Sequence, residues 1–296
     1  MAVDNRTEVR EFLVSRRAKI TPDRAGVPLY GRRRRVPGLR REEVAQLAGV
    51  SVDYYTRLEK GNLSGASDSV LDSIARALQL DDAERAHLSD LARAARGGAV
   101  REPRRRTQAQ VRPSILRILE SMTTTPAFVR NGRLDVLAVN ELGRALYAPV
   151  FDDPARPANL ARFNFLDPRS VAFYPDWEEA ANTSVALLRS EAGRDPHDRA
   201  LTQLVGELAT RSDAFRTRWA AHDVRLHRTG AKRFAHPVVG ELSLAFDAME
   251  LPADLGLTLT AYTAEPGSPS EEKLTLLASW AATLDREQPR TAADRA

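Results

Sequence analysis

Between residues 7 and 96 apolar side chains recur at helical spacing, whereas beyond residue 125 the pattern switches repeatedly to the alternation of strands. Residues 7 to 18 form the first helix, with Val9, Phe12, Leu13 and Arg16 on one face. Pro22, Gly26 and Pro28 punctuate a loop that runs into Arg32, Arg33, Arg34 and Arg35 and ends at Pro37-Gly38. Four helices follow, at 40 to 48, 52 to 60, 68 to 79 and 82 to 96. Ser51 and Ser67 precede the second and third of these, and such hydroxyls accept exposed backbone N–H groups. Asp81 and Asp82 open the last, where negative charge suits a helix N-terminus. A Gly-Gly pair and the basic run through Pro103, Arg104, Arg105 and Arg106 mark a linker at 98 to 110.

The second half reads as a mixed α+β domain over 111 to 283, with a frayed tail at 284 to 296. A helix at 113 to 122 leads to two short strands around Asn131-Gly132, a hairpin dipeptide. Residues 140 to 147 are helical, and an irregular Pro- and Asn-rich stretch extends to 169. Helices follow at 176 to 192, 197 to 211 and 213 to 221. The runs DVRLHRT, KRFAHPVVG, ELSLAFDAMEL and GLTLTAYTA are strands, and a closing helix covers 271 to 283. Alternation of Leu242, Leu244, Phe246 and Ala248 predicts an antiparallel sheet with one covered face.

Residues 41 to 61, REEVAQLAGVSVDYYTRLEKG, carry the most specific pattern. Two short helices crossing steeply need a small residue at their contact, Ala45, and a turn residue tolerant of positive φ, Gly49. Val44, Ala48, Val50, Tyr55 and Leu58 then fall where both helices share one core, as in a helix-turn-helix. The second helix enters a major groove with its N-terminal end leading. With Tyr55 and Leu58 inward, Ser51, Val52, Asp53, Tyr54, Thr56 and Arg57 remain outward or lateral. Arg57 is the candidate base reader, because a guanidinium pairs with guanine O6 and N7. Val52 suits a thymine methyl, and Asp53 suits cytosine N4 or the orientation of Arg57. Arg40 and Arg41 are placed to position the protein on phosphates. Glu59 is expected to hold the fold by pairing with a neighbouring arginine.

Charge sharpens this picture. The net charge of +4 hides an asymmetry: residues 1 to 112 hold 23 basic and 15 acidic side chains, the remainder 21 and 25. A basic front and an acidic rear imply that the front meets a polyanion, double-stranded DNA. Arg32 to Arg35 are then an arm for a groove or for phosphates, the alternative being a solvated basic loop. The absence of cysteine excludes disulfides, thiolate zinc sites and cysteine nucleophiles. No apolar run reaches the roughly 20 residues of a membrane span, and charges interrupt any signal-peptide core. A cytoplasmic location is the expectation. A Gly-rich phosphate loop, a zincin pair and a nucleophile elbow are all missing, so no enzyme is expected. Glu178-Glu179 reads as a solvated helix surface.

In the rear domain large side chains concentrate at Phe163, Phe165, Trp177, Phe215, Trp219 and Phe234, with Asn140, Arg218, His222 and His236 as polar partners. Aromatics with a few polar groups line ligand pockets, and they also build ordinary cores. His222, His227 and His236 lie close in sequence, but their spacing puts them on different faces, which argues against a metal site. No cofactor is expected.

The segment GRRRRVPGLRREEVAQLAGVSVDYYTRLEKG resembles the Xre-type, lambda-repressor-like helix-turn-helix of the actinobacterial regulators that carry an MmyB-like domain. The long, Arg-rich connection at 20 to 38 matches that group. The resemblance continues through DVLAVN, DWEEAANTSVALLR, DAFRTRWAAHDV, KRFAHPVVGELSL and TLTAYTAEPGSPS. It implies a mainly α, five-helix DNA-binding domain at 1 to 97 and a PAS-like antiparallel sheet with flanking helices behind it. It also implies a small apolar or fatty-acid-like ligand in that rear domain. One short recognition helix reads too few base pairs for genomic specificity, so a homodimer is expected. The other reading is a DNA-binding adaptor or antitoxin whose rear domain binds a protein partner and no ligand.

Overall fold

The computed structural model describes residues 5–27, 36, 38–96, 110–153, 157–221 and 228–287. Five helices come first: α1 (Asn5–Lys19), α2 (Arg41–Ala48), α3 (Val52–Glu59), α4 (Asp68–Ala77) and α5 (Asp82–Ala95). There follow α6 (Pro113–Ser121), β1 (Ala127–Asn131), β2 (Val136–Val139), α7 (Glu141–Leu146), α8 (Ala148–Phe151), α9 (Leu160–Leu166) and α10 (Arg169–Phe173). The chain continues through α11 (Trp177–Arg194), α12 (Arg199–Arg211) and α13 (Asp213–Ala220). It closes with β3 (Thr229–His236), β4 (Gly240–Glu250), β5 (Leu257–Thr263) and α14 (Pro269–Glu287). No described helix is long and apolar enough to cross a membrane.

Contacts divide these elements into two units. The first holds α1 to α5 together with described residues 185 to 221. This later segment packs within the front unit.

In the front unit α3, α4 and α5 each start where a side chain satisfies a free N–H group. Ser51 accepts from Tyr54 N at 3.1 Å and Ser67 from Val70 N at 3.3 Å. Asp81 and Glu84 form a capping box, each side chain accepting from the other's backbone. Val9, Phe12, Leu13, Val44, Ala45, Tyr55, Leu58, Ile74 and Leu91 share one buried core. Fully burying such aliphatic and aromatic side chains stabilises by about 1.5–3 kcal/mol each.

Residues 185 to 221 join this unit through an ion pair. The Arg189 guanidinium, fully buried, donates to both oxygens of Glu8 and to the Trp219 carbonyl, and lies 4.1 Å above the Trp219 ring. Trp219 in turn stacks on Phe215. Gly193 passes so close to His87 that an added Cβ would lie 2.6 Å from its ring. Without a side chain, that turn of α11 can seat against α5.

The second unit is built on a five-stranded sheet of order β2-β1-β5-β4-β3, with every pairing antiparallel. Along β4 the alternation is as expected, with Leu242, Leu244 and Phe246 inward. At β1 all five residues are buried, because α6 covers the second face with Ile115 and Leu119. The run DVRLHRT lies mostly outside the described residues.

The hairpin forms where expected, with Leu134 N–H donating to the Asn131 carbonyl at 3.1 Å, and one other expectation is corrected. The loop runs through 132–135, the positive φ falls at Leu134, and Leu134 is buried. The cause is the Asn131 side chain, which accepts from Arg133 N and Asp135 N and donates to the Asp135 carboxylate at 2.8 Å. The stretch to 169, expected to be irregular, contains α9 and the start of α10. Asn159 organises it by capping α9 through its Oδ1 while its Nδ2 donates to Asp135 at 2.8 Å.

Arg189→Ala leaves the Glu8 carboxylate buried without its cation, which costs about 3–5 kcal/mol. Chemical unfolding of the full chain, followed by tryptophan fluorescence, is expected to show the loss. A double substitution with Glu8→Ala is expected to cost less than the two single losses added.

Candidate nucleic-acid interface and sensory core

α2 and α3 are joined by a turn whose geometry requires glycine. Gly49 has φ +67°, and Val50 N–H reaches back to the Ala45 carbonyl at 3.0 Å. Ala45, at the helix contact, is buried. The turn after α3 is equally constrained: Gly61 has φ +94°, and a Cβ there would sit 2.4 Å from the Arg6 carbonyl.

α3 has two faces. Tyr55, Leu58 and Glu59 are buried, whereas Ser51, Val52, Asp53 and Arg57 are exposed and Tyr54 and Thr56 are half-buried. The Arg57 guanidinium lies 4.9 Å from the Tyr54 ring centroid, which gives it a resting position on the outward side. A depression of about 460 Å³ is lined by Arg6, Asp53, Thr56, Arg57, Lys60 and Asn62. Three cations and several hydrogen-bonding groups around one hollow are suited to phosphate and base-edge contacts. The sequence singled out Asp53, Thr56 and Arg57 but not Arg6, Lys60 or Asn62. Arg6 reaches this face only because Gly61 lets the end of α3 approach α1.

Behind this face lies the carboxylate of Glu59, 1% exposed. It accepts from Arg17 Nε at 2.8 Å and from Arg41 at 2.8 Å. Burial opposes its ionisation, but the two arginines prevail and hold its carboxyl below the usual range. Burial, with the Glu59 charge beside it, pushes the Tyr55 phenol up. Glu59 thus holds the fold by arginine pairing, as expected. Arg41, a candidate phosphate contact, is half-exposed and shared with this ion pair. Arg40 is exposed, pairs with Glu42 at 3.2 Å, and gives its backbone N–H to Glu43. The Ser51 hydroxyl is committed to its cap. Arg32 to Arg35 lie outside the described residues.

In the sheet-bearing unit, Phe163 and Phe234 are buried in one aromatic cluster with Phe128, Tyr147, Phe173, Tyr174 and Tyr262. Trp177 packs on its edge, with its indole N–H directed to the Asn164 carbonyl at 3.1 Å. The Tyr147 and Tyr262 hydroxyls meet at 2.6 Å within it.

Family models match the chain twice: a helix-turn-helix domain over residues 29–88, and the MmyB-like transcription regulator ligand binding domain over 111–277. The second covers more than half of the chain. The chain belongs to the MmyB-like transcription regulators. It is a DNA-binding transcription regulator with a ligand-binding domain, as the sequence implied. No curated protein matches it.

Within this regulator several candidate ligand contacts have other duties. Asn140 is a cap: its Oδ1 accepts from Gly143 N and Ala127 N, and its Nδ2 donates to the Met122 and Thr125 carbonyls. Every hydrogen-bonding position of that amide is taken. His236 is buried and anchors the turn after β3, with Nε2 on the Ala145 carbonyl at 3.0 Å and Nδ1 accepting from Val238 N at 3.2 Å. Burial lowers its pKa and keeps the ring neutral. Phe215, Arg218 and Trp219 belong to the helical front unit, where Phe215 is fully buried and Arg218 donates to the Ala214 carbonyl. His222, with His227, lies outside the described residues. Among the described residues no group of His, Cys, Asp or Glu is placed to hold a metal ion.

One residue of the cluster went unnoticed. Lys232 shares the inward register of β3 with Phe234 and His236, and its Nζ lies 4.2 Å from the Tyr174 ring centroid. Strict alternation back from Phe234 would have found it.

Glu59→Gln is expected to destabilise the front unit by ~2–3 kcal/mol at neutral pH, since Arg41 can turn to solvent while Arg17 cannot do so fully. Because the folded carboxyl titrates below its unfolded value, this stability is present above about pH 4.5 and is lost as the pH falls through the folded value. Parallel acid titrations of native and variant proteins are expected to converge at low pH.

Proposed function

We propose that this regulator reads an operator through the exposed face of α3 and responds to a small apolar or fatty-acid-like ligand held in the sheet-bearing unit. The reading is carried by one observation: the exposed side of α3 and the neighbouring hollow combine an outward Arg57, resting on the Tyr54 ring, with Arg6 and Lys60. Arg57, Val52, Asp53 and Thr56 meet base edges, with Tyr54 supporting Arg57. Arg6, Arg40, Arg41 and Lys60 neutralise phosphates, and Arg32 to Arg35 form a basic arm. A homodimer supplies the second half-site. The aromatic cluster around Phe163, Trp177 and Phe234 supports an apolar ligand, since such rings with few polar groups are typical pocket linings. Ligand binding biases DNA affinity by about 1–3 kcal/mol, the usual range of allosteric coupling.

Genomic footprinting followed by titration on the recovered fragment tests this reading. Arg57→Ala is expected to lose about 1–3 kcal/mol of discrimination between that fragment and random duplex, with unfolding unchanged. Retained discrimination removes Arg57 from the reading face. Arg6→Ala and Lys60→Ala are expected to weaken binding to all duplexes alike. Each lowers the slope of log affinity against log salt by about one, the signature of a lost phosphate contact.

A further inference from the structure

On the outward side of α3 one residue carries the wrong sign for a surface that meets a polyanion. Asp53 is exposed, stands in the first turn of the helix, and lines the hollow shared by Arg6, Thr56, Arg57, Lys60 and Asn62. It is the exposed acid of α3, since Glu59 is buried between Arg17 and Arg41. A carboxylate in the first turn suits the helix dipole, but it repels every phosphate that approaches. Two duties within the fold would account for it, and other residues perform both. Ser51 caps α3, its hydroxyl accepting from Tyr54 N at 3.1 Å. Tyr54 holds Arg57: the guanidinium, four residues on from Asp53 and at the spacing for an ion pair with it, lies instead 4.9 Å from the Tyr54 ring centroid. Among the described residues Asp53 makes no hydrogen bond or ion pair.

A carboxylate accepts hydrogen bonds and donates none. In the major groove guanine presents O6 and N7 and thymine presents O4, and these acceptors repel it. Adenine presents an amino group beside its N7 acceptor. Cytosine presents an amino group, N4, with no acceptor of its own in that groove, and is the base that a carboxylate selects. We infer that Asp53 is a specificity-determining residue, and that the operator half-site holds a cytosine whose outward N4–H donates to its carboxylate. This rests on the reading of α3 proposed above and adds to it the chemistry of one operator base. Four helical residues rise about 6 Å, so this cytosine lies within about two base pairs of the guanine that Arg57 reads. The charge of Asp53 weakens binding to every duplex, and the hydrogen bond offsets that loss only where the cytosine is present.

The experiment is titration of the full chain on the fragment recovered by footprinting, with each cytosine of the protected site replaced in turn by N4-methylcytosine. That base keeps the N–H that pairs with guanine and carries a methyl group where the outward N–H was. Native protein is expected to lose about tenfold or more in affinity at one cytosine of each half-site, the loss of one base-edge contact. Asp53→Ala is expected to bind random duplex more tightly than native protein at low salt, and to lose less than about twofold at that same cytosine. If native protein tolerates the methyl group at every cytosine, or if Asp53→Ala keeps the full loss at the sensitive one, the inference is overturned while the reading of α3 stands. Asp53→Ala binding all duplexes more tightly with its discrimination intact overturns it too, and leaves Asp53 as a charge serving the helix dipole. If native protein prefers no fragment to random duplex, both fall.

Discussion

The Glu59 carboxylate, held between Arg17 of α1 and Arg41 of α2, is the interaction on which the outward face of α3 depends. α3 is eight residues long, too short to be stable as an isolated helix. Its inner face must therefore be fixed by tertiary contacts before its outer face can present anything to a groove. Tyr55 and Leu58 supply apolar burial, which is strong but non-directional. Glu59 supplies direction: two guanidinium groups from two other helices converge on it and set the rotation of α3 about its own axis. Arg57, two residues earlier and on the other side, inherits its aim from that rotation.

The same economy appears in the sheet-bearing unit, where amides do the positioning. Asn131, Asn140 and Asn159 each satisfy several backbone groups at a point where the chain changes from strand to turn or helix. A buried amide of this kind cannot move without leaving donors unpaired, at about 1–3 kcal/mol for each. These residues make the strand-to-helix junctions rigid. The aromatic cluster between them is held in place by contacts that are individually weaker and less directional.

This difference explains which features could be read from the sequence. The helix-turn-helix was legible because a small residue, a positive-φ glycine, a capping serine and an inward hydrophobic set all fall at fixed offsets within 21 residues. β4 was legible for a similar reason, since strict alternation needs only one strand. What was hidden depends on partners far away in the chain. The role of Asn140 as a cap for α7 and a brace for β1 needs Met122, Thr125 and Ala127 beside it. The α9 helix was masked by the Pro and Asn residues around it, although Asn159 turned out to be the residue that starts it. Residues 185 to 221 read as part of the rear domain, and it is contacts such as the buried Arg189–Glu8 pair, 181 residues apart in sequence, that reveal where they pack.

Aromatic composition could not separate pocket from core, and the structure shows the physical reason. Phe163, Phe173, Tyr174 and Phe234 meet edge to face or tilted, at centroid separations of 4.9 to 6.0 Å, as rings do in any well-packed interior. Apolar side chains are content with apolar neighbours, whether these belong to the protein or to a ligand, so their geometry carries little information about occupancy. A charge does carry such information, because its solvation must be replaced by something specific when it leaves water.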